Sequence, residues 1–237
     1  MPRLDHEVPT RVLAVYGHPD DPEISAAGTL AKWVDAGSQI WVVICNQGDK
    51  GSLDPDCLPA ELATRREAET AAAAAVLGLT GHRHLGIPDG ELENSVELRG
   101  TLVAAIRELR PEAVMCPDPT AVFFGDGYYN HRDHRVAGWA TLDAAAAAGN
   151  PHYFPEQRAS GLAPHGVARL YLTGTVEPNV WVDVSKTIDR KVDAIFCHES
   201  QLVDTGEWFR EWLRERSSDV GKAVGVPYAE SFRRMDL

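Results

Sequence analysis

The stretch RVLAVYGHPDDPEISAAGTLAKWVDAG, Arg11 to Gly37, holds a strand, a loop and a helix in succession. RVLAVYG (Arg11 to Gly17) is a continuous apolar run closed by glycine, the pattern of a strand buried on both faces. SAAGTLAKWVDAG (Ser25 to Gly37) starts on serine, carries an apolar stripe at helical spacing and stops on glycine. The alternation continues outward from this unit. QIWVVICN (Gln39 to Asn46) is a second buried strand, and Leu58 to Gly78 is a helix rich in alanine, glutamate and arginine, all of which favour that state. HRHLG supplies a third strand, Val96 to Leu109 a helix, and Glu112 to Pro117 a fourth strand stopped by proline. A further helix is expected from about His131 through the alanine tract to Gly149. This succession predicts right-handed βαβ units, hence an α/β fold with a Rossmann-like, mostly parallel sheet and helices on both faces. In the second half RLYLTG and NVWVDVS read as strands, KTIDRKVDAIFCHESQL as a helix and GEWFREWLRERS as an amphipathic helix. These C-terminal strands and helices either extend the sheet or form a small lobe. Gly149 to Gly166, with three prolines, reads as a surface loop.

The chain has 237 residues and is 44% hydrophobic, enough for one substantial core, so residues 1–237 are expected to form a single globular domain. A net charge of −12 with no basic cluster weighs against nucleic-acid binding, which depends on Lys and Arg neutralising phosphates. MPRLDHEVPTR at the N-terminus lacks the apolar region of a signal peptide, and no segment is long and apolar enough to span a membrane. Cys45, Cys57, Cys116 and Cys197 are far apart and form no CxxC pair, so a reducing, cytoplasmic setting is expected. Trp33, Trp41, Trp181, Trp208 and Trp212 lie on strands and amphipathic helices and are expected in the core or at an interface; the oligomeric state, a homo-oligomer included, is left open. His82, His84, His152, His165 and His198 read as structural or surface positions.

In an open α/β sheet, ligands bind beyond the carboxyl ends of the strands, and the first strand-to-helix turn is often the site. A dinucleotide binder would place GxGxxG there. HPDDPE crowds carboxylates instead, repelling an anion and attracting a cation. Acidic residues also favour a helix N-terminus. His18, Asp20 and Asp21 supply one imidazole and two carboxylates, donors that zinc accepts; a ferrous ion suits two nitrogens and a carboxylate as well. Adjacent residues do not readily present both carboxylates to one point, so one can bind metal while the other faces its water. Catalytic zinc takes three protein ligands, and the best source of the remainder is NHRDHR, Asn130 to Arg135. Asn130 is placed to cap a helix, His131 and His134 lie three apart on one face of its first turn, and Asp133 can orient an imidazole.

The pair GHPDDPE and HRDH resembles the PIG-L/LmbE family of zinc-dependent N-acetylglucosaminyl deacetylases, which includes deacetylases and amidases of mycothiol and bacillithiol metabolism and antibiotic-tailoring deacylases. Arg66-Glu-Ala-Glu69 with Leu77-Gly78, Gly86-Ile-Pro-Asp89-Gly, and AIFCHESQ (Ala194 to Gln201) are similar to further segments of that family. The resemblance implies that His18, Asp21 and His134 bind zinc and that Asp20 is the general base. His131 would stabilise the oxyanion as a protonated imidazole or protonate the leaving amine, with Asp133 behind it. It also implies that Arg66 faces the substrate. Asp89 in its glycine-bounded loop suits sugar hydroxyls, and Tyr128 and Tyr129 in FFGDGYYN suit a pocket wall. The expected activity is hydrolytic removal of an acyl group, most simply acetyl, from an N-acylated amino sugar or related small-molecule amide. The alternative is a metal-dependent hydratase or lyase acting on an unsaturated small acid. A non-enzymatic metal- or nucleotide-binding module is disfavoured by the absent phosphate-loop glycines.

Overall fold

The computed structural model describes residues 2–203 and 205–237. In chain order the elements are β1 (Arg11–Tyr16), α1 (Asp21–Asp35), β2 (Gln39–Asn46), α2 (Pro59–Leu77), β3 (Gly81–Ile87), α3 (Val96–Leu109), β4 (Ala113–Pro117), β5 (Phe123–Phe124), β6 (Tyr128–Tyr129), α4 (Arg132–Ala148) and α5 (Pro155–Ala159). They continue with β7 (Arg169–Thr173), β8 (Val180–Asp183), α6 (Ile188–Ile195), a 3-10 turn at Glu199–Gln201, α7 (Glu207–Lys222) and β9 (Ala229–Asp236). Among the described residues, seven strands form one sheet in the order β3-β2-β1-β4-β7-β9-β8, and β5 pairs with β6 as a separate small hairpin. The pairs from β3 to β7 are parallel, whereas β9 lies antiparallel between β7 and β8.

Both faces of the sheet are covered, which explains why the strands read as continuous apolar runs. Leu13, Val15, Val43 and Val114 point to one side and pack with Leu102, Ile106, Ala140 and Ala144 from α3 and α4. Val12, Ala14, Val42 and Met115 point to the other and pack with Leu30 and Trp33 of α1 and with Tyr171 and Phe232. Ala27, Ala31, Ala73, Leu77 and Ala194 join α1, α2 and α6 through small side chains, which permit close helix approach.

Four sequence expectations are adjusted. Helix α1 begins at Asp21 rather than Ser25, because Pro22 sits in its first turn, where a missing N–H costs nothing. The expected surface loop from Gly149 to Gly166 contains α5 and is latched from beneath by buried Arg107, which donates to the carbonyls of Ala148, Asn150, Tyr153 and Phe154. The long C-terminal helix expected over KTIDRKVDAIFCHESQL ends at Ile195 and resumes as the short 3-10 turn. Strand β9 was not signalled at all. Its insertion makes the C-terminal segment an extension of the sheet.

β1 is flanked by β2 and β4, so the chain winds outward in both directions from the β1–β4 neighbour pair. That pair is the topological switch point, where the loops at the carboxyl strand ends splay apart and leave a crevice. The loops leaving β1 and β4 carry the HPDD and HRDH segments. No helix among the described residues is long and apolar enough to cross a membrane.

Candidate metal centre

The loop after β1 is forced into a tight turn. Asp20 adopts φ 90°, a left-handed conformation that a non-glycine residue occupies only at a cost of order 1–3 kcal/mol. Two contacts hold it there. The buried guanidinium of Arg66, from α2, donates to the carbonyl of Pro19 at 2.6 Å and to the Asp20 carboxylate at 3.2 Å, and reaches the carbonyl of Gly48 at 3.1 Å. Gly17, at the start of the turn, lies close against the backbone of Asp133; a Cβ there would come within 3.3 Å of it, so glycine lets the β1 loop reach the start of α4.

The result is that His18, Asp21 and His134 each offer a ligand atom within 4.8 Å of the others. Asp21 Oδ1 is 3.0 Å from His134 Nε2, and Asp21 Oδ2 is 3.6 Å from His18 Nδ1. The tautomers follow from the surroundings. The Asn130 side-chain amide donates to the carbonyl of Ala121 at 2.9 Å, which fixes its oxygen as the atom 2.8 Å from His134 Nδ1. His134 Nδ1 therefore donates, and Nε2 presents its lone pair to the Asp21 carboxylate. Likewise Asp89 Oδ1, 2.9 Å from His18 Nε2, draws the proton to that nitrogen and leaves Nδ1 facing Asp21. Two nitrogen lone pairs and a carboxylate converging at these distances repel one another unless a cation lies between them. The donor set thus fits a divalent metal. Without one, protons take its place. Burial alone would raise Asp21, but His134 and then His18 hold its carboxyl well below the usual range. His18, against the opposing effect of burial, is pushed up to about 10 by Asp21 and Asp89.

A second cluster, His18, Asp89, His131 and Asp133, shares one imidazole with the first. Its Asp133 is fully buried and already engaged: Oδ2 accepts from Asn46 Nδ2 at 3.1 Å and from the backbone N–H of Gly90 at 2.8 Å, so this carboxylate ties together the ends of β2, the β3–α3 loop and α4. The triad containing Asp21 and His134 opens instead onto a cavity of about 540 Å³ that those two residues line. It is the better metal site.

The remaining expected residues are placed as follows. Asp20 lies beside the triad with its carboxyl pushed up to about 6, chiefly by burial and against the pull of Arg66. His131, not Asn130, caps α4. Its ring Nδ1 accepts the N–H of Asp133 at 3.3 Å, which leaves the proton of the neutral ring on Nε2. Burial, then the neighbouring His18, lowers its proton affinity, which favours the neutral ring. The Asp133 carboxylate makes no hydrogen bond to that ring; it fixes loops. Arg66, expected at the substrate, is buried and bonded to the Asp20 turn, which makes it a positioning residue. Asp89 likewise orients His18. Tyr128 lines the cavity, while Tyr129, 71% exposed, is not among its lining residues. Sequence reasoning passed over Asn46 and the partner of His198. Glu23 and His198 form a buried pair at 3.2 Å, so His198 is a structural position, although it lies between α6 and the 3-10 turn and not on a helix.

Comparison with known proteins places this geometry in a family. Residues 13–145 match the GlcNAc-PI de-N-acetylase (PIG-L) family, and the chain belongs to it. It is 34% identical to the diacetylchitobiose deacetylase of Thermococcus kodakarensis over 94% of this chain and 82% of that protein. It is 32% identical to the 1D-myo-inositol 2-acetamido-2-deoxy-alpha-D-glucopyranoside deacetylase of Streptomyces avermitilis over 71% of this chain, but spans only 62% of that longer protein. Among solved structures, the N,N'-diacetylchitobiose deacetylase of Pyrococcus horikoshii superposes with a TM-score of 0.89 at 32% identity, covering 96% of this chain and 84% of that one.

Proposed function

We propose that this protein is a metal-dependent N-deacylase that removes an acyl group, most simply acetyl, from an N-acylated amino sugar or its conjugate. One observation carries the reading: two imidazole nitrogens and the Asp21 carboxylate converge at the rim of a sugar-sized cavity, with a further carboxylate, Asp20, beside them. The relatives named above act on acetamido sugars, which makes that the substrate class to test.

His18, Asp21 and His134 would hold the metal, zinc by preference and ferrous ion as the other candidate. When bound, such a cation polarises an amide carbonyl and acidifies water at neutral pH. The protein's own groups do the rest. Asp20, fixed by Arg66, accepts the proton of the attacking water and passes it to the departing amine. His131 presents its Nε2–H where negative charge develops on the acyl oxygen, a donor whose loss typically costs about 100- to 1,000-fold in rate. Asn130 and Asp89 keep the ligand tautomers in place, and Tyr128 closes one wall.

The test is release of acetate and of a primary amine from N-acetylglucosamine and diacetylchitobiose by metal-loaded and chelator-stripped protein. Turnover that disappears with the chelator and returns with zinc or ferrous ion is expected. Hydration of an unsaturated acid in place of amide cleavage would overturn the reading.

A further inference from the structure

The cavity beside the metal triad has a second charged wall. It is built by one face of α7, where Leu213, Arg216, Ser217 and Val220 recur at helical spacing, and it faces Lys191, Glu230 and Ser231. Most charge on that wall is already neutralised. Glu230 is buried and accepts from Lys191 at 2.6 Å and from the N–H groups of Gly28 and Thr29 at 3.1 and 2.8 Å. Arg216 is different. The other arginines of α7 have carboxylate partners: Arg210 pairs with Asp193 and Glu207, and Arg214 with Asp189 and Glu211. Arg216 has no ion pair and no side-chain hydrogen bond among the described residues; its guanidinium lies 5.5 Å from the Trp212 ring. The nearest acid on its own helical face, Asp219 at i+3, is taken by Lys222 at 2.6 Å.

An arginine cannot shed its proton, so it enters the cavity as a permanent cation with its donor fork vacant. The Lys191–Glu230 pair is neutral and Asp21 belongs to the triad, so Arg216 is the charged lining residue left without an ion pair among the described residues. A neutral sugar would leave its donor fork without a charged partner. We propose that Arg216 forms an anion subsite on the α7 wall, so that the preferred substrate bears a carboxylate or a phosphate in addition to the acylated amine. The subsite rests on the deacylase reading for its reaction, but not for its binding.

The two sources of negative charge are separated by substrate. N-acetylglucosamine, N-acetylglucosamine 6-phosphate and N-acetylmuramate present a neutral, a phosphorylated and a carboxylated acetamido sugar. With metal-loaded protein, kcat/KM should favour one of the anionic sugars over the neutral one by about 10- to 100-fold, mostly through KM, and the preference should shrink as salt is raised. Arg216→Met should bring the anionic-to-neutral ratio close to one, and Arg216→Lys should keep part of it. Thermal stabilisation of the metal-loaded protein by each sugar gives a second readout that needs no turnover. If no sugar is hydrolysed but an anionic one still stabilises wild type more than Arg216→Met, the subsite stands and the deacylase reading falls. Equal preference in wild type, or a ratio unchanged by Arg216→Met, overturns the subsite.

Discussion

At the scale of single residues, the site is governed by which atom of each polar group is already taken. Asn130 and Asp89 assign the protons of two imidazoles, and that assignment turns two nitrogen lone pairs toward Asp21, the arrangement that the proposed metal site requires. None of this is visible in spacing. HPDD and HRDH announce metal chemistry because they gather imidazoles and carboxylates, but the bond from Asn130 to His134, or from Arg66 to the Asp20 turn, depends on distances between segments. The Glu23–His198 pair is a similar case. His198 reads in sequence as one more residue of a C-terminal helix, yet it lies beyond that helix and is buried against a carboxylate 175 positions away. Burial works against its protonation, but Glu23 outweighs burial and raises its proton affinity. A raised folded-state value means that the pair stabilises the fold fully below the ordinary histidine pKa near 6.5, and that this contribution is lost as pH rises through the higher folded value. His198→Gln should therefore cost about 3–5 kcal/mol at mildly acidic pH and progressively less in alkali. Urea unfolding midpoints of both proteins across that range would show it; a gap independent of pH would mean that charge plays no part.

At the scale of elements, the legible part of the fold is the part with the strongest periodicity. β1 to β4 and α1 to α4 are evident because strands covered on both faces must be apolar throughout and the helices between them carry stripes. β9 escaped because AESFRRMD is apolar only at every third position, with charged and polar residues between. It is held in the sheet by Phe232 in the core and by Glu230 and Arg234, whose side chains meet partners far away in sequence. The loop after β2 is a second element whose role emerges only in three dimensions. Gly48, at φ +60°, leaves room for the Arg66 guanidinium that steadies the Asp20 turn, and a Cβ there would collide with it. Gly48→Ala should displace Arg66 and slacken the turn, lowering kcat by roughly 100-fold while the metal stays bound, since small misplacements of a catalytic group cost that much. Turnover and metal content measured together would check this; normal kcat would show that Arg66 does not position Asp20.

At the scale of the whole molecule, the switch point between β1 and β4 brings together two motifs more than a hundred residues apart, and the C-terminal segments complete the cavity around them. Lys191 and Glu230 lock that arrangement. The lysine ammonium also donates to the carbonyl of Ile24 at 2.9 Å, so α6, β9 and α1 meet in one buried ion pair. Lys191→Met would leave Glu230 buried without its counter-charge and should lower stability by about 3–5 kcal/mol, read as a shift in denaturant midpoint. An unshifted midpoint would mean that the pair locks nothing. In the proposed site His18, Asp21 and His134 hold one ion that Asp20 serves without binding. Metal content of purified wild type, Asp20→Ala and His134→Ala is the decisive measurement. One ion per chain is expected in the first two and none in the third; a His134→Ala protein that keeps its full complement of metal would refute this ligand set.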